Sequence, residues 1–196
     1  MSQTNALRFS VCYNGLVLAS VDLDLLLKGQ TLLLGGFGTP FFIFGARWLI
    51  LGVGFVSVCA WLFEREANHR HTWKEVGWSV LLAFVMSLLV SELVRRMRPF
   101  LAYPDQVRVL IPAPASAFSW PSSHASTIWA WAMGVSRLER RVAGLWIAIA
   151  VYVSLSRVVV GVHYPLDVLA GASVGALSVY LVRFGHRWLR RAPSTL

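Results

Sequence analysis

The sequence predicts an all-α protein, a polytopic membrane helix bundle of five or six spans. Three observations carry that reading. Of 196 residues, 57% are apolar and the mean hydropathy is +0.62, more apolar material than one compact core can hide. Only 14% are charged, where a soluble domain carries about 25%. The apolar residues also come in long runs, several near the roughly 20 residues a helix needs to cross about 30 Å of hydrocarbon. This composition excludes disordered, collagen-like and disulfide-rich classes, and the length suits a single domain, residues 1–196.

The elements follow in chain order. Residues 9–36 are rich in Leu but hold Asp22, Asp24 and Lys28, which are costly in mid-bilayer. They predict an amphipathic interfacial or re-entrant helix within residues 1–39, with a sixth span as the alternative. The first span covers 41–63, with Arg47 near one end where it can snorkel. The second covers 76–94. The third, 122–135, is the shortest. The fourth covers 142–160 and the fifth 166–188, followed by a basic cytoplasmic tail, 189–196. Trp48, Trp73, Trp78, Trp120 and Trp188 fall near span ends, as an aromatic belt requires. The opening MSQTNALRFS lacks the pattern of a cleaved signal peptide. Cys12 and Cys59 have neither the spacing of a metal site nor that of a disulfide framework.

The net charge is +9. Basic chains bind nucleic acid, anionic lipid surfaces or anionic substrates; the apolar background selects membrane lipids and an anionic substrate, and no nucleic-acid partner is expected. Ten basic residues fall in the loops after the first and third spans and at the end of the fifth, among them Arg65, Arg70, Lys74, Arg137 and Arg187. Eight fall on the other side, including Arg95, Arg96, Arg98 and Arg157. The ten-charge side reads as cytoplasmic. Residues 95–123 and 157–167 then share the extracytoplasmic face.

Those two stretches hold the residues with chemistry. In His163-Tyr164-Pro165-Leu166-Asp167, Pro165 suits a first helical turn. Asp167 then lies one turn from His163, where a carboxylate can fix the imidazole tautomer and raise its basicity. Such an imidazole either caps the helix or acts as a nucleophile. In Pro121-Ser122-Ser123-His124 a second helix start offers free N–H groups and a positive dipole end to an anion. Ser122 adds a hydroxyl, and His124 can hand a proton to a leaving oxygen; an ordinary capping turn uses the same residues. Arg98 and Arg157 offer guanidinium forks to a phosphate. Arg98 could equally meet a lipid headgroup, whereas Arg157 follows an apolar run and needs an anionic partner. Together these residues supply what phosphoryl transfer through a phosphohistidine needs.

No metal or other cofactor is expected. Of nine carboxylates only Glu92, Asp105 and Asp167 fall near that face, and no HExxH or paired-Asp pattern occurs. His69 and His71 read as a solvated pair in a basic loop, and His186 as a surface residue.

The order Arg98-Pro99, then Pro121-Ser122-Ser123-His124, then Ser156-Arg157 with His163 and Asp167 resembles the type 2 phosphatidic-acid phosphatase superfamily, over about 95–170. The resemblance implies a chloroperoxidase/acid-phosphatase-like helical core. It implies His163 as nucleophile, Asp167 as its partner, His124 as general acid, and Arg98, Ser122, Ser123 and Arg157 as phosphate ligands. One position departs. The family's first motif opens with a Lys seven residues before its Arg, and Ser91 stands there. Arg95 or Arg96 could replace it, Arg96 being favoured because family members often carry a basic residue two before the motif Arg. The run RPFLAYPDQVRVLIPAPASAFSWPSSHAS, and Leu23-Asp24 after Asn14, are most similar to bacterial undecaprenyl-diphosphate phosphatases. The resemblance thus implies a plasma-membrane enzyme acting on a phosphorylated lipid. The alternatives are phosphatidylglycerol phosphate, phosphatidate or lipid A as substrate, phosphate transfer between lipids, or a lipid-binding channel, transporter or assembly subunit.

Overall fold

The computed structural model describes residues 20–191. Asn14, the rest of 9–19 and the last five residues of the basic tail lie outside them. Eight helices follow one another: α1 (20–33), α2 (Gly38–Arg47), α3 (Leu49–Phe63), α4 (Ala67–Val94), α5 (Pro99–Ala102), α6 (Ser123–Val135), α7 (Ala143–Val159) and α8 (Pro165–Arg191). A single 3-10 turn, Arg140–Val142, leads into α7. Among the described residues the only β pairing is an isolated bridge between Met97 and Phe118.

α6 is the axis of the bundle and packs against α4, α7 and α8. Its sequence SHASTIWAWAMGV alternates small and large residues, and eight of its thirteen are buried. Small residues let helix backbones approach closely. The tightest approach is made by α8, where Gly171 and Gly175 lie four apart. A Cβ on Gly171 would sit 2.7 Å from the Ser122 carbonyl, and one on Gly175 2.6 Å from that of Ser126. The two helix starts are therefore locked side by side, and the Ser122 N–H donates to the Asp167 carbonyl at 3.0 Å. α4 and α7 lead toward this end of the bundle and α6 and α8 away from it, so the 95–122 and 160–164 connections meet there.

The outside of the bundle is apolar. Leu51, Phe55, Leu89, Leu93, Leu169 and Trp188 are all exposed, as expected for helices whose outer solvent is lipid. Among the described residues three helices are long and apolar enough to cross a membrane: α4, the 140–159 stretch and α8. A fourth span results if α2 and α3, bent by 45°, are counted together. These three or four are fewer than the five or six predicted: α6, with 13 residues, rises only about 20 Å, and α1 is counted only from residue 20, where the described residues begin. α4 also begins nine residues earlier than its predicted span, because ANHRHTWKE continues the helix past the apolar run.

Within the predicted 41–63 span the bend falls at Trp48. Backbone bonds continue across it, from Trp48 N–H to the Phe44 carbonyl and from Gly52 N–H to the Trp48 carbonyl. The Ala46 carbonyl, among the last acceptors of α2, instead takes a bond from Arg157 Nη1 at 2.9 Å.

α1 resolves part of the ambiguity of residues 9–36. It is amphipathic, with Asp22, Leu26 and Gln30 buried on one face and an exposed Asp24–Lys28 ion pair on the other. The Gln30 amide donates to the carbonyls of Arg108 (2.7 Å) and Val159 (3.0 Å). This clasp sits on Gly161, whose φ of +83° belongs to glycine and whose Cβ would fall 2.2 Å from the Arg108 carbonyl. That turn ends α7 and aims the chain at His163.

Candidate active site

His163 is fully enclosed in the short connection between α7 and α8. Its Nδ1 lies 3.0 Å from the Ser119 carbonyl, and its Nε2 lies 3.1 Å from Arg98 Nη1. A carbonyl only accepts and a guanidinium only donates. The proton therefore sits on Nδ1, and Nε2 presents its lone pair. Asp167 is in the first turn of α8, as Pro165 leads one to expect, with Oδ2 3.6 Å from Nδ1. That is an ion contact rather than a hydrogen bond. The carboxylate is held elsewhere: Oδ2 accepts the Tyr164 N–H at 2.8 Å, and Oδ1 accepts from Arg96 at 2.7 Å. The hydrogen bond that orients the imidazole thus comes from Ser119, a backbone acceptor that side-chain motifs do not reveal.

Arg98 is the N-cap residue of α5 and is buried. Its Nε donates to the Ser116 carbonyl (2.7 Å) and Nη1 to that of Val162 (3.0 Å). Burial lowers the Arg98 guanidinium to about 10, with the Asp167 charge opposing, so it stays charged at neutral pH. Burial likewise pulls the His163 imidazole down to about 4; Asp167 opposes this, and the Arg157 and Arg98 charges add to it. The imidazole is consequently neutral near pH 7. Arg157 is buried in the last turn of α7. Nη1 is held by Ala46, while the buried Nε has no hydrogen-bond partner among the described residues. An unpaired donor on a buried cation is expensive, and an anion supplies what it lacks.

Ser122 caps α6, its Oγ 3.4 Å from the Ala125 N–H, immediately after a cis Trp120–Pro121 bond. Ser123 and His124 occupy the first turn. His124 is within electrostatic range of Arg157, His163 and Arg98. Ser123, His124 and Thr127 also form the polar end of a cleft of about 460 Å³, walled by Ile50 and Leu51 of α3 and by Gly77, Val80, Leu81 and Phe84 of α4. An apolar cleft whose polar end is the start of a helix suits an amphiphile carrying an anionic head.

Arg96 is placed differently from the expected phosphate ligand. One guanidinium nitrogen donates to Asp167 and the other to Asp22 Oδ2 at 2.6 Å, and the group lies over the Tyr164 ring at 4.0 Å. Phosphate ligation by Arg96 requires these pairs to open. Arg95, the other substitute for a Lys at Ser91, caps α4 with a left-handed φ of 52° and donates to the Glu92 carbonyl. The sequence treats Asp22 only as a cost; the structure buries it against the site.

A second polar cluster occupies the opposite end of the bundle. Glu75 of α4 is buried. It accepts from Arg137 on one oxygen and faces His186 (3.2 Å) and His71 (3.7 Å) on the other. His71 and His186 are thus not simply solvated; only His69, beside Glu64 and Glu66, fits the expectation. Among the described residues His71, Glu75 and His186 have the mutual spacing of a metal site. Arg190, however, is hydrogen-bonded to His71 Nε2. That bond puts the His71 proton on Nδ1, the atom a metal would need.

Residues 91–191, just over half of the chain, match the family described as the PAP2 superfamily. The chain is 35% identical to decaprenylphosphoryl-5-phosphoribose phosphatase of Mycobacterium tuberculosis, over 56% of this chain and 58% of that one. It therefore spans somewhat over half the length of that relative. It is 27% identical to undecaprenyl-diphosphatase BcrC of Bacillus subtilis, over 71% of this chain and 70% of that one. Among solved structures it is similar in fold to Aquifex aeolicus LpxE, with a TM-score of 0.67 at 20% identity, over 82% of this chain and 93% of that one.

Proposed function

The chain belongs to the PAP2 superfamily, and from that premise we propose that it is an integral membrane lipid phosphatase that releases phosphate from a polyprenyl diphosphate of the undecaprenyl kind, through a phosphohistidine and without a metal. The observation that carries the reading is the His163 arrangement. A neutral imidazole has its Nδ1 proton fixed by Ser119 and its Nε2 lone pair facing Arg98. Beside it stands Arg157, whose Nε lacks a partner. Both relatives named above act, by their names, on polyprenyl-linked phosphates.

The terminal phosphate lies among Arg98, Arg157, Ser122, Ser123 and the N–H groups at the start of α6, with its lipid in the α3–α4 cleft. Arg98 gives its hydrogen bond to a phosphate oxygen and so frees the Nε2 lone pair. Nε2 attacks phosphorus in line, the bond to the leaving oxygen breaks, and His124 protonates that oxygen. Water then attacks the phosphohistidine while His124 takes its proton, releasing inorganic phosphate and restoring both histidines. The guanidinium charges and helix end stabilise the charge on the transferring group, the main contribution to phosphoryl transfer. The basic residues in the loops of the opposite side support a site at the extracytoplasmic face, and the bacterial relatives support the inner membrane as its location.

The test is phosphate release in detergent from undecaprenyl diphosphate, phosphatidylglycerol phosphate, phosphatidate and lipid A. Greatest kcat/KM on the polyprenyl diphosphate, unchanged by a chelator, is expected. Greatest turnover on a glycerophospholipid moves the substrate assignment, and no turnover on any of them removes the enzyme reading.

A further inference from the structure

We propose that Asp22 of α1 is a positioning residue for this reaction, acting through Arg96 on Asp167. The proposal rests on the phosphatase reading above and assigns Arg96 to a bridge within the protein rather than to the substrate.

The bridge is continuous. Asp22 Oδ2 accepts from Arg96 Nη2 at 2.6 Å, and Arg96 Nη1 donates to Asp167 Oδ1 at 2.7 Å. Asp22 Oδ1 also accepts the Leu166 N–H at 3.0 Å, one of the unpaired amides at the start of α8. Asp22 therefore grips both the guanidinium and the helix that carries Asp167. Both carboxylates are buried. A carboxylate buried alone is costly, and one guanidinium between two carboxylates leaves neither unpaired. The Tyr164 ring closes over Arg96, and the Tyr164 N–H holds the other oxygen of Asp167.

The consequence for His163 is geometric. With both oxygens engaged, Asp167 stays at 3.6 Å from Nδ1. There it supports the imidazolium character that develops on attack, while the Ser119 carbonyl keeps the Nδ1 proton. Releasing Arg96 from Asp22 frees the guanidinium to swing and the Asp167 carboxylate to turn. The chemical step then slows, but the phosphate ligands Arg98 and Arg157 are untouched. This gives α1, which lies outside the matched residues 91–191, a defined part in the reaction.

The experiment measures kcat and KM for undecaprenyl diphosphate in detergent. Asp22→Asn is expected to lower kcat about tenfold, in the range of second-layer substitutions, while KM stays within about twofold because no phosphate contact is lost. Asp22→Glu restores most of the rate. Arg96→Met lowers kcat at least as far, and adding Asp22→Asn to it costs nothing more, the signature of two residues acting in series. Asp24→Asn, which breaks the exposed Asp24–Lys28 pair on the other face of α1, leaves kcat near that of the native enzyme. Native kcat in Asp22→Asn, additive losses in the double variant, or an equal loss in Asp24→Asn overturns the proposal. A raised KM in Arg96→Met overturns it too, in favour of direct phosphate ligation. If Asp22→Asn does not fold, Arg96→Lys carries the test, because an ammonium cannot fork between two carboxylates; native kcat there overturns it. The phosphatase reading fails separately, and takes this proposal with it, if the native chain releases no phosphate or if His163→Ala remains active.

Discussion

At one end of the bundle, His163, Asp167, Arg98 and Arg157 meet in a buried cluster; at the other, His71, His186, Arg137 and Arg190 gather at a partly exposed rim around the buried Glu75. The residue types match, but the hydrogen-bond accounts differ. Around Glu75, Arg137, His186 and His71 point at the carboxylate and Arg190 donates to His71, so each group answers another. Around His163 the backbone takes up much of the bonding: Ser119, Ser116, Val162 and Ala46 each give a carbonyl. What remains is a lone pair on Nε2 and an unpaired N–H on Arg157 Nε. A cluster whose polar groups satisfy one another holds helices together. A cluster whose orientation is supplied by backbone can spend its side chains on a ligand.

Substitutions can break that comparison, beginning with the largest effect. His163→Ala should lower phosphate release by more than about a thousandfold, since nothing else supplies the nucleophile, with an unchanged helical spectrum. Next, Arg157→Lys should cost about a hundredfold in kcat/KM, as loss of one preorganised donor does; a full-rate Lys variant makes the unpaired Nε irrelevant. At the other end Glu75→Gln should leave kcat intact and lower stability by about 2 kcal/mol, because a buried carboxylate partner is lost. Equal loss of kcat would make the two ends functionally alike.

The smallest effect is on pH. A protonated imidazole has no lone pair, so activity falls as pH drops through the His163 value. Burial holds that value near 4. The acid limb of kcat/KM should then lie well below the ordinary histidine range near 6.5. A midpoint at 6.5 assigned to His163 would mean that the imidazole is far wetter than its enclosure shows.

Much of the site was legible because its residues are strung on short motifs at helix starts. Pro121, Ser122 and His124 announce α6, and Pro165 with Asp167 announces α8; the spans then bring both to one end. Four features were not legible, each for a physical reason. The Ser119 carbonyl is backbone and leaves no trace in residue type. The bend at Trp48, which turns the Ala46 carbonyl toward Arg157, lies inside an unbroken apolar run. Asp22 and Glu75 read as isolated charges, since their partners stand 74 and 62 positions away. The packing of Gly171 and Gly175 against α6 was likewise hidden, because two glycines four apart do not say which helix they meet.

The central claim, that His163 Nε2 takes the phosphoryl group, is tested most directly by rapid acid-free quenching of the enzyme with undecaprenyl diphosphate labelled in its terminal phosphate, followed by mapping of the label. A label on His163 that is acid-labile and alkali-stable, absent from His163→Ala and enriched in His124→Ala if that variant retains some attack, is the predicted result. A label on another residue, or turnover by His163→Ala at the native rate, contradicts the account.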